Sequence, residues 1–194
     1  MASTYIKFSR NVKKMRVIET KLQGCMIIEP DVYGDDRGFF LETFQEERYR
    51  KLAGINEPFV QDNYSRSSYG VLRGLHFQIE KPQGKLVRVV RGSVFDVSVD
   101  IRPSSKTFGQ WISEELTEEN KKQIWIPPGF AHGFLVLSDS ADFEYKCTNF
   151  YDPQDEGIIH WQDESLAIEW PKDIDINISD KDNNALSFNS IFKL

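Results

Sequence analysis

The alternation of apolar and polar residues along the chain predicts a protein built mainly of β-strands. From Met15 onward, short runs with a two-residue period are separated by glycine and proline, as in half-buried strands joined by turns. The predicted strands cover residues 26–30, 38–44, 59–65, 71–78, 85–90, 93–100, 123–129, 133–137 and 142–148. Helix is predicted only for residues 46–52, ending at Gly54, and for a short stretch near the C terminus. Many short strands with little helix favour a β-sandwich or barrel.

One predicted turn joins two of the strongest runs. Arg91 and Gly92 lie between residues 85–90 and residues 93–100, so the sequence predicts a β-hairpin at this point. In the second run, apolar residues alternate with small or acidic ones, which places two different kinds of side chain on the two faces of the strand.

Length and composition are those of a single globular domain. The chain has 194 residues, of which 40% are hydrophobic and 28% are charged. We predict one domain over residues 15–194. Residues 1–14 carry a run of basic side chains that ends before Met15, and we predict an N-terminal extension without fixed structure there.

The charge and hydropathy exclude two classes of partner. A net charge of -6 argues against nonspecific binding of nucleic acid, which requires a basic surface. No apolar run approaches the ~20 residues that a membrane helix needs. The N terminus lacks a secretion signal, so a cytoplasmic location is expected. Cys25 and Cys147 are predicted to be free, buried thiols, because disulfides are uncommon in that compartment.

The segment from Val71 to Gln78 carries the first candidate for chemistry. If Leu75 and Phe77 face one side of the strand, His76 faces the other, with Arg73 before it and Lys85 after it in sequence. Imidazole is suited to move protons near neutral pH, and nearby cations can hold an anion or an oxyanion. On this segment alone, an ordinary sheet histidine with exposed basic neighbours is the better interpretation.

A metal site is not predicted. His76 and His132 can lie on neighbouring strands, but metal-binding barrels of the cupin type usually place a second histidine two residues after the first. Gln78 occupies that position here, and Glu80 would have to supply the carboxylate. A zinc or iron site normally needs three nitrogen, sulfur or carboxylate ligands, and this set falls short.

Other polar and aromatic residues admit two interpretations each. Tyr145 shares its strand phase with Phe143 and can donate a proton across a pocket, but a half-buried strand tyrosine is the commoner case. Tyr151 is equally ambiguous. Arg37 can bind phosphate or simply point to water from its turn. Gln61 and Asn63 can bind a sugar or base or form the polar outer face of a sheet. The aromatic rings that can stack on a base or pack in the core are Phe39, Phe40 and Trp161.

Taken together, several segments resemble a known family. They are Asp-x-Arg-Gly-x-Phe at 35–40, Val-Gln-Asp-Asn at 60–63, Leu-Arg-Gly-Leu-His-Phe-Gln at 72–78, Gln-Gly-Lys at 83–85, Phe-Asp-Val at 95–97, Ile-Pro-Pro-Gly-Phe-Ala-His-Gly-Phe at 126–134 and Tyr-Lys-Cys-Thr at 145–148. In this order they are similar to the dTDP-4-dehydrorhamnose 3,5-epimerases, and the resemblance runs from about Met15 to Asp182.

The resemblance implies a fold, a reaction and a set of residues. The fold is an all-β, cupin-type jelly roll (double-stranded β-helix) with a few short helices, and the protein is a homodimer in which the Arg37 region enters the partner's site. No metal or other cofactor is implied. His76 is the general base, oriented by Asp182; Lys85 stabilises an enolate, and Tyr145 returns the proton. Contacts with a dTDP-4-keto-6-deoxyhexose are implied for Arg37, Phe40, Glu42, Gln61, Asn63, Arg73, His132, Tyr151 and Glu156.

Three alternatives stay open. A relative that inverts only C3 or only C5 would keep the same base and acid. A non-catalytic cupin that binds a sugar nucleotide would not need His76, Lys85, Tyr145 and Asp182 together. A 3,4-ketoisomerase is a more distant possibility. The expected activity is therefore epimerisation at both C3 and C5 of dTDP-4-keto-6-deoxyglucose, by removal of a proton next to the ketone and its return from the opposite face.

Overall fold

Two facing antiparallel sheets dominate the computed structural model, which describes residues 15–193. The predicted extension, residues 1–14, lies outside the described residues. The first sheet has the strand order β1-β2-β10-β7-β12-β5, and the second has the order β13-β6-β11-β8-β9, with β14 paired to β6. This arrangement confirms the predicted all-β jelly roll.

The first sheet contains β1 (Arg16–Glu19), β2 (Met26–Glu29), β5 (Gln61–Ser68), β7 (Lys85–Arg91), β10 (Gln123–Ile126) and β12 (Ser140–Cys147). The second sheet contains β6 (Val71–Gln78), β8 (Ser93–Asp100), β9 (Trp111–Thr117), β11 (Phe130–Val136), β13 (Glu156–Ile158) and β14 (Asn177–Ile178). A separate hairpin is formed by β3 (Val32–Asp35) and β4 (Gly38–Leu41). Most of these bounds agree with the sequence prediction, which missed β1, β3, β9, β13 and β14.

Helix is limited to short segments, as predicted. α1 (Glu46–Ala53) begins after Gln45, whose side chain accepts a hydrogen bond from the backbone of Arg48. It ends at Gly54, which has a φ of 66° and closes the helix in the left-handed conformation. Two further short helices lie near the C terminus, α2 (Asp180–Asn183) and α3 (Phe188–Phe192).

Apolar side chains fill part of the space between the two sheets. Phe134 of the second sheet stacks on Phe143 of the first, with ring centroids 4.1 Å apart. The outer face of the second sheet is covered by the C-terminal segment, where Leu75 and Phe77 join a cluster with Leu166 and Phe188. The polar side chains described below therefore share an interior with a packed core.

The predicted hairpin at Arg91 and Gly92 is wrong. β7 pairs with β10 and β12 in the first sheet, whereas β8 pairs with β11 and β9 in the second. Gly92 has a φ of 77°, and a Cβ there would lie 2.1 Å from the carbonyl oxygen of Ser140. The tight turn thus carries the chain from one sheet to the other instead of folding it back beside itself.

A register irregularity in β6 decides which side chains reach the interior. Directly opposite residues of an antiparallel pair point to the same face. His132 of β11 lies opposite His76, but Phe134, two residues later, lies opposite Arg73, three residues earlier than His76. The extra residue on β6 forms a bulge, so Arg73 and His76 share one face although strict alternation would separate them.

Glycine is required on both strands at this bulge. Gly74 has a φ of 122°, and a Cβ at that position would lie 2.6 Å from Cα of Gly133. A Cβ on Gly133 would lie 2.7 Å from the carbonyl oxygen of Arg73. Both of these atoms belong to the backbone, so a side chain at either position would force a strand to shift.

We expect Gly74→Ala to lower the free energy of unfolding by more than about 2 kcal/mol, because the new methyl group meets backbone atoms at a left-handed position. Gly34→Ala is the matched control, since its Cβ would meet no atom nearer than 3.6 Å; it should stay within about 1 kcal/mol of wild type. Denaturant unfolding of both variants at one protein concentration checks this. Equal stability of the two variants would contradict the proposed role of the bulge.

Candidate active site

The first wall of the site carries a histidine–aspartate pair. The bulged β6 turns His76 inward, and its Nε2 lies 2.9 Å from Asp182 Oδ1. The backbone N–H of Gly74 donates to Asp182 Oδ2 at 3.1 Å, and the Ser179 side chain caps α2 by accepting from the backbone of Asp182. The bulge and the C-terminal helix therefore hold this pair together.

The protonation of the pair follows from its contacts. Burial opposes ionisation of Asp182, but the hydrogen bonds and charge of His76, with the bond from Gly74, outweigh it and lower the pKa of the carboxyl. An ionised carboxylate only accepts hydrogen bonds, so in the neutral imidazole of His76 the single proton is on Nε2. Nδ1 is left with a free lone pair and can act as a base.

A second histidine–aspartate pair lies beside the first. His132 is directly opposite His76 in the register of β11 and β6. Its Nε2 lies 2.8 Å from Oδ2 of Asp96, and both side chains are almost fully buried. Asp96 was missed as a functional candidate. Its alternation with apolar neighbours in residues 93–100 was the available signal, because that pattern places an acid on an enclosed face.

The opposite wall belongs to the first sheet. Tyr145 of β12 lies opposite Asn63 of β5 and Val87 of β7, and Cys147 lies opposite Gln61 and Lys85. All of these side chains therefore point to the inner face, as the shared phases of Tyr145 with Phe143 and of Gln61 with Asn63 predicted. Burial raises the pKa of Tyr145 to about 12, so the phenol keeps its proton at neutral pH.

Lys85 is a half-buried cation on this wall. Its Nζ lies 5.9 Å from the ring centroid of Tyr145. Within residues 15–193, its ammonium forms no ion pair and no hydrogen bond. Burial lowers the pKa of Lys85, while the charges of Cys147, Asp96 and Glu156 act in the opposite direction. The ammonium is therefore placed to meet a negative charge that the protein itself does not supply.

Three polar groups at the mouth of the site form one connected cluster, and Arg73 with Ser67 forms a separate pair. The Tyr151 hydroxyl donates to Glu156 Oε2 at 3.1 Å, and the Lys181 ammonium is paired with the same oxygen. Arg73, exposed at the edge, donates to the Ser67 hydroxyl at 3.1 Å. The sequence analysis did not predict Lys181 as a site residue. Neighbouring residues usually point in different directions, and only the helical turn of α2 shows that Lys181 and Asp182 can both reach the site.

Three predicted site residues lie apart from this cluster. Arg37 is paired with Asp35 at the tip of the β3–β4 hairpin, and its side chain is 89% exposed. Phe40 is 69% exposed on the same hairpin. Glu42 is ion-paired with Arg48 of α1, 2.6 Å away. The chain's own fold does not bring these residues to His76.

The described residues hold neither a cluster of metal ligands nor a helix that could span a membrane. Between residues 15 and 193, no three or more histidine, cysteine or acidic side chains are grouped as metal ligands would be. The two cysteines, Cys25 and Cys147, are free and buried, as predicted. In the same part of the chain, no helix is both long and apolar enough to span a membrane.

The arrangement supports proton transfer at carbon. A candidate base lies on one wall, and a neutral phenol and an ammonium without an ion-pair partner among residues 15–193 lie on the other. Removing a proton next to a carbonyl group creates an enolate, whose oxygen requires a nearby positive charge. Because base and phenol belong to different sheets, a proton can leave one face of a substrate and return to the other.

Known proteins are similar to this chain in sequence and in fold. A family model described as dTDP-4-dehydrorhamnose 3,5-epimerase matches residues 19–190. The dTDP-4-dehydrorhamnose 3,5-epimerase of Escherichia coli K12 is 51% identical over 181 residues, covering 93% of this chain and 98% of that protein. The crystal structure of a Legionella pneumophila dTDP-6-deoxy-D-glucose-3,5-epimerase in complex with dTDP-4-keto-L-rhamnose aligns with a TM-score of 0.90 and 56% identity, covering 92% of this chain and 95% of that one.

A more distant structure is named for a different activity. It is a 3'-monoepimerase from Streptomyces bikiniensis in complex with dTDP-quinovose, which aligns with a TM-score of 0.85. Its identity is 33%, over 91% of this chain and 89% of that one. The same cupin-type fold therefore carries more than one pattern of inversion.

We expect Lys85→Met to stabilise the protein at neutral pH by about 1–2 kcal/mol, because methionine removes a half-buried charge that has no ion-pair partner among residues 15–193. The pKa of Lys85 is lowered in the folded state. The charged ammonium therefore lowers the free energy of unfolding by its full amount at any pH below the folded pKa. The penalty shrinks as pH rises from there toward the unfolded pKa. Denaturant unfolding between pH 7 and 10 measures the difference.

Lys51→Met, on the exposed side of α1, is the control and should change stability little at any pH. A Lys85→Met variant that is no more stable than wild type at pH 7 would contradict the view that this ammonium is kept at a cost in stability.

Proposed function

The chain belongs to the dTDP-4-dehydrorhamnose 3,5-epimerase family, and on that premise we propose that it inverts C3 and C5 of dTDP-4-keto-6-deoxyglucose. The observation that carries the proposal is the placement of the His76–Asp182 pair and of Tyr145 with Lys85 on opposite walls of one interior. Two-sided proton transfer requires such a division of base and acid.

His76 is the general base in this proposal. Asp182 holds the proton on Nε2, so Nδ1 removes the proton from C3 or C5, the two carbons next to the C4 ketone. The electron pair of the broken C–H bond moves into the ring, and C4 carries an enolate oxygen. No redox cofactor enters this step, because the ketone accepts the electron pair.

Lys85 and Tyr145 complete the reaction. The Lys85 ammonium stabilises the enolate oxygen, and because no carboxylate of residues 15–193 pairs with it, its charge is available for that purpose. Tyr145 then donates its phenolic proton to the carbon from the other face, which inverts the centre. A phenol whose pKa is about 12 remains protonated until the strongly basic enolate carbon is ready to accept.

Substrate binding is assigned to the surrounding polar residues. Gln61, Asn63, Arg73 and His132 line the interior, and Tyr151 and Glu156 lie at its mouth. Lys181 lies beside Glu156 and Tyr151, and Arg73 lies near Ser67, toward the other end of β5. Cations of this kind suit a nucleoside diphosphate. These roles explain how an acidic protein can hold an anionic substrate.

Inversion at a single carbon is the second candidate. The likeness to the Streptomyces 3'-monoepimerase, at 33% identity, favours it less than the likeness to the 3,5-epimerases, at 51% and 56%. A non-catalytic sugar-nucleotide-binding cupin would have no use for a base and an acid on opposed walls. We therefore place double epimerisation first.

The reaction is tested by incubating the protein with dTDP-4-keto-6-deoxyglucose in D2O and locating deuterium by NMR. Deuterium at both C3 and C5 is expected. His76→Asn should reduce exchange at both carbons by at least about 100-fold, since the general base is lost. Tyr145→Phe should reduce inversion more strongly than exchange, because proton removal does not require the phenol.

His160→Asn and Tyr69→Phe are matched controls. His160 contacts the backbone of Gln162 instead of the interior, and Tyr69 lies exposed at the turn between β5 and β6. Both variants should exchange at the wild-type rate. Deuterium at one carbon only would replace the proposal with single epimerisation, and its absence from both would leave a binding protein.

We further propose that the protein acts as a homodimer in which Arg37 of each protomer contacts substrate in the partner's site. The β3–β4 hairpin extends from the sheets with its aromatic residues Phe39 and Phe40 more than half exposed. An exposed apolar hairpin with a cation at its tip is suited to cover an anionic ligand in a second subunit.

Mixed dimers test this arrangement. Arg37→Ala and His76→Asn proteins are each expected to be nearly inactive. If Arg37 acts across the interface, a mixed dimer contains one site with both changes and one intact site. Equal co-expression should then restore activity in about a quarter of the sites. No recovery in mixed dimers, verified by separately tagged chains, would mean that Arg37 serves its own subunit or none.

A further inference from the structure

Cys147 lies in the binding wall without a role in the mechanism above. It is fully buried on β12, directly opposite Gln61 of β5 on one side and Lys85 of β7 on the other. Its sulfur accepts a hydrogen bond from Asn63 Nδ2 at 3.5 Å. The Cys147 thiol is therefore in a position to orient side chains of the binding wall.

The hydrogen bonds around Cys147 form a chain with one possible direction. The backbone N–H of Tyr151 donates to Gln61 Oε1 at 2.9 Å, and a backbone N–H can only donate. Gln61 Nε2 must therefore be the donor to Asn63 Oδ1, 3.0 Å away. Asn63 is then fixed with its nitrogen toward Cys147, where the sulfur accepts.

This direction decides what the wall offers to a ligand. Each amide nitrogen has two N–H groups, and the chain uses one of each. Within residues 15–193, the second N–H groups of Gln61 and Asn63 have no protein acceptor. They lie on the same inner face as the Lys85 ammonium, from which β12 separates them, so this wall presents donors. Such a surface suits the oxygen acceptors of a nucleoside diphosphate sugar.

We propose that Cys147 is a positioning residue for substrate binding: its sulfur anchors Asn63 and Gln61 with their free N–H groups directed at the ligand. The inference rests on the proposed function, because it takes the same interior as the binding site. Without an acceptor at position 147, only the hydrogen bond from Gln61 opposes rotation of the Asn63 amide. Rotation would present an oxygen to the ligand and break the bond from Gln61.

The neutral state of the thiol fits this role. Burial raises the pKa of Cys147, although the charge of Lys85 acts against it. A neutral sulfur can accept from Asn63 without neutralising the neighbouring ammonium. A carboxylate at the same position would accept equally well, but it would compete with the ligand for Lys85.

Cys25 provides a matched comparison. It is also a free, buried thiol and belongs to the apolar cluster between the sheets. Its sulfur is not part of the amide chain. Loss of either thiol removes a similar volume from the core, so a difference between the two variants isolates the hydrogen bond from the packing.

The experiment measures binding of dTDP-glucose, which lacks the ketone, by titration calorimetry, and KM and kcat with dTDP-4-keto-6-deoxyglucose. Cys147→Ala is expected to raise both Kd and KM about three- to tenfold, the effect of one lost hydrogen bond, with kcat within about twofold. Cys147→Ser should restore both within about twofold of wild type, because the hydroxyl accepts. Cys25→Ala should lower Tm and leave Kd unchanged. Cys147→Val, which fits a strand but accepts no hydrogen bond, replaces the alanine variant should that one not fold.

Wild-type Kd in Cys147→Ala would overturn the inference, as would equal weakening by alanine and serine or by loss of Cys25. Each of these results is compatible with normal epimerisation by the wild-type protein. Conversely, a wild-type protein that binds dTDP-glucose but incorporates no deuterium would overturn the epimerase proposal and leave the Cys147 comparison valid.

Discussion

The close approach of β6 and β11 at Gly74 and Gly133 is the constraint on which the rest of the site depends. Because neither glycine carries a Cβ, the two backbones can lie close enough for β6 to bulge. A Cβ at either position would meet the backbone of the other strand. The bulge puts Arg73 and His76 on one face and turns the N–H of Gly74 toward Asp182. A single local irregularity thus sets the direction of the base, supplies a bond to its partner and adds a cation to the same interior.

The interior combines polar chemistry with apolar packing at some cost in stability. Phe134 and Phe143 stack between the sheets, while Lys85 and the two histidine–aspartate pairs occupy the remaining inner positions. Asp96 Oδ1 has no hydrogen-bond partner among residues 15–193. Buried charges and unsatisfied oxygens of this kind weaken a fold, and their concentration in one region is what a site for charged intermediates requires.

Much of this could be predicted from alternation alone. The inward phase of Tyr145, Asn63 and Gln61 follows from a two-residue period, and so does the packing of Leu75 and Phe77 on the outer face. Alternation could not show that Gly92 carries the chain between sheets, because a glycine turn within a hairpin and one between sheets look alike in sequence. Nor could it place Arg73 beside His76, since a bulge changes the phase without leaving a pattern of its own.

Contacts between residues far apart in sequence were the other gap. Asp182 is separated from His76 by more than a hundred residues, and only the resemblance to a family connected them. The resemblance did not assign a site role to Lys181 or Asp96. The proposed role of Cys147 depends on the direction of hydrogen bonds, which a sequence does not show. The sequence pattern therefore predicts which face a side chain occupies better than it predicts what that side chain touches.

The two histidines raise the question of why one and not the other should be the base. They are directly opposite in register, and each has an aspartate at Nε2. The His76 side chain is 30% exposed, whereas that of His132 is 7% exposed, so His76 is the more accessible to a ligand. Asp182 also belongs to the C-terminal segment that covers the outer face of the same sheet. Packing of that segment therefore also brings Asp182 to the proposed base, His76.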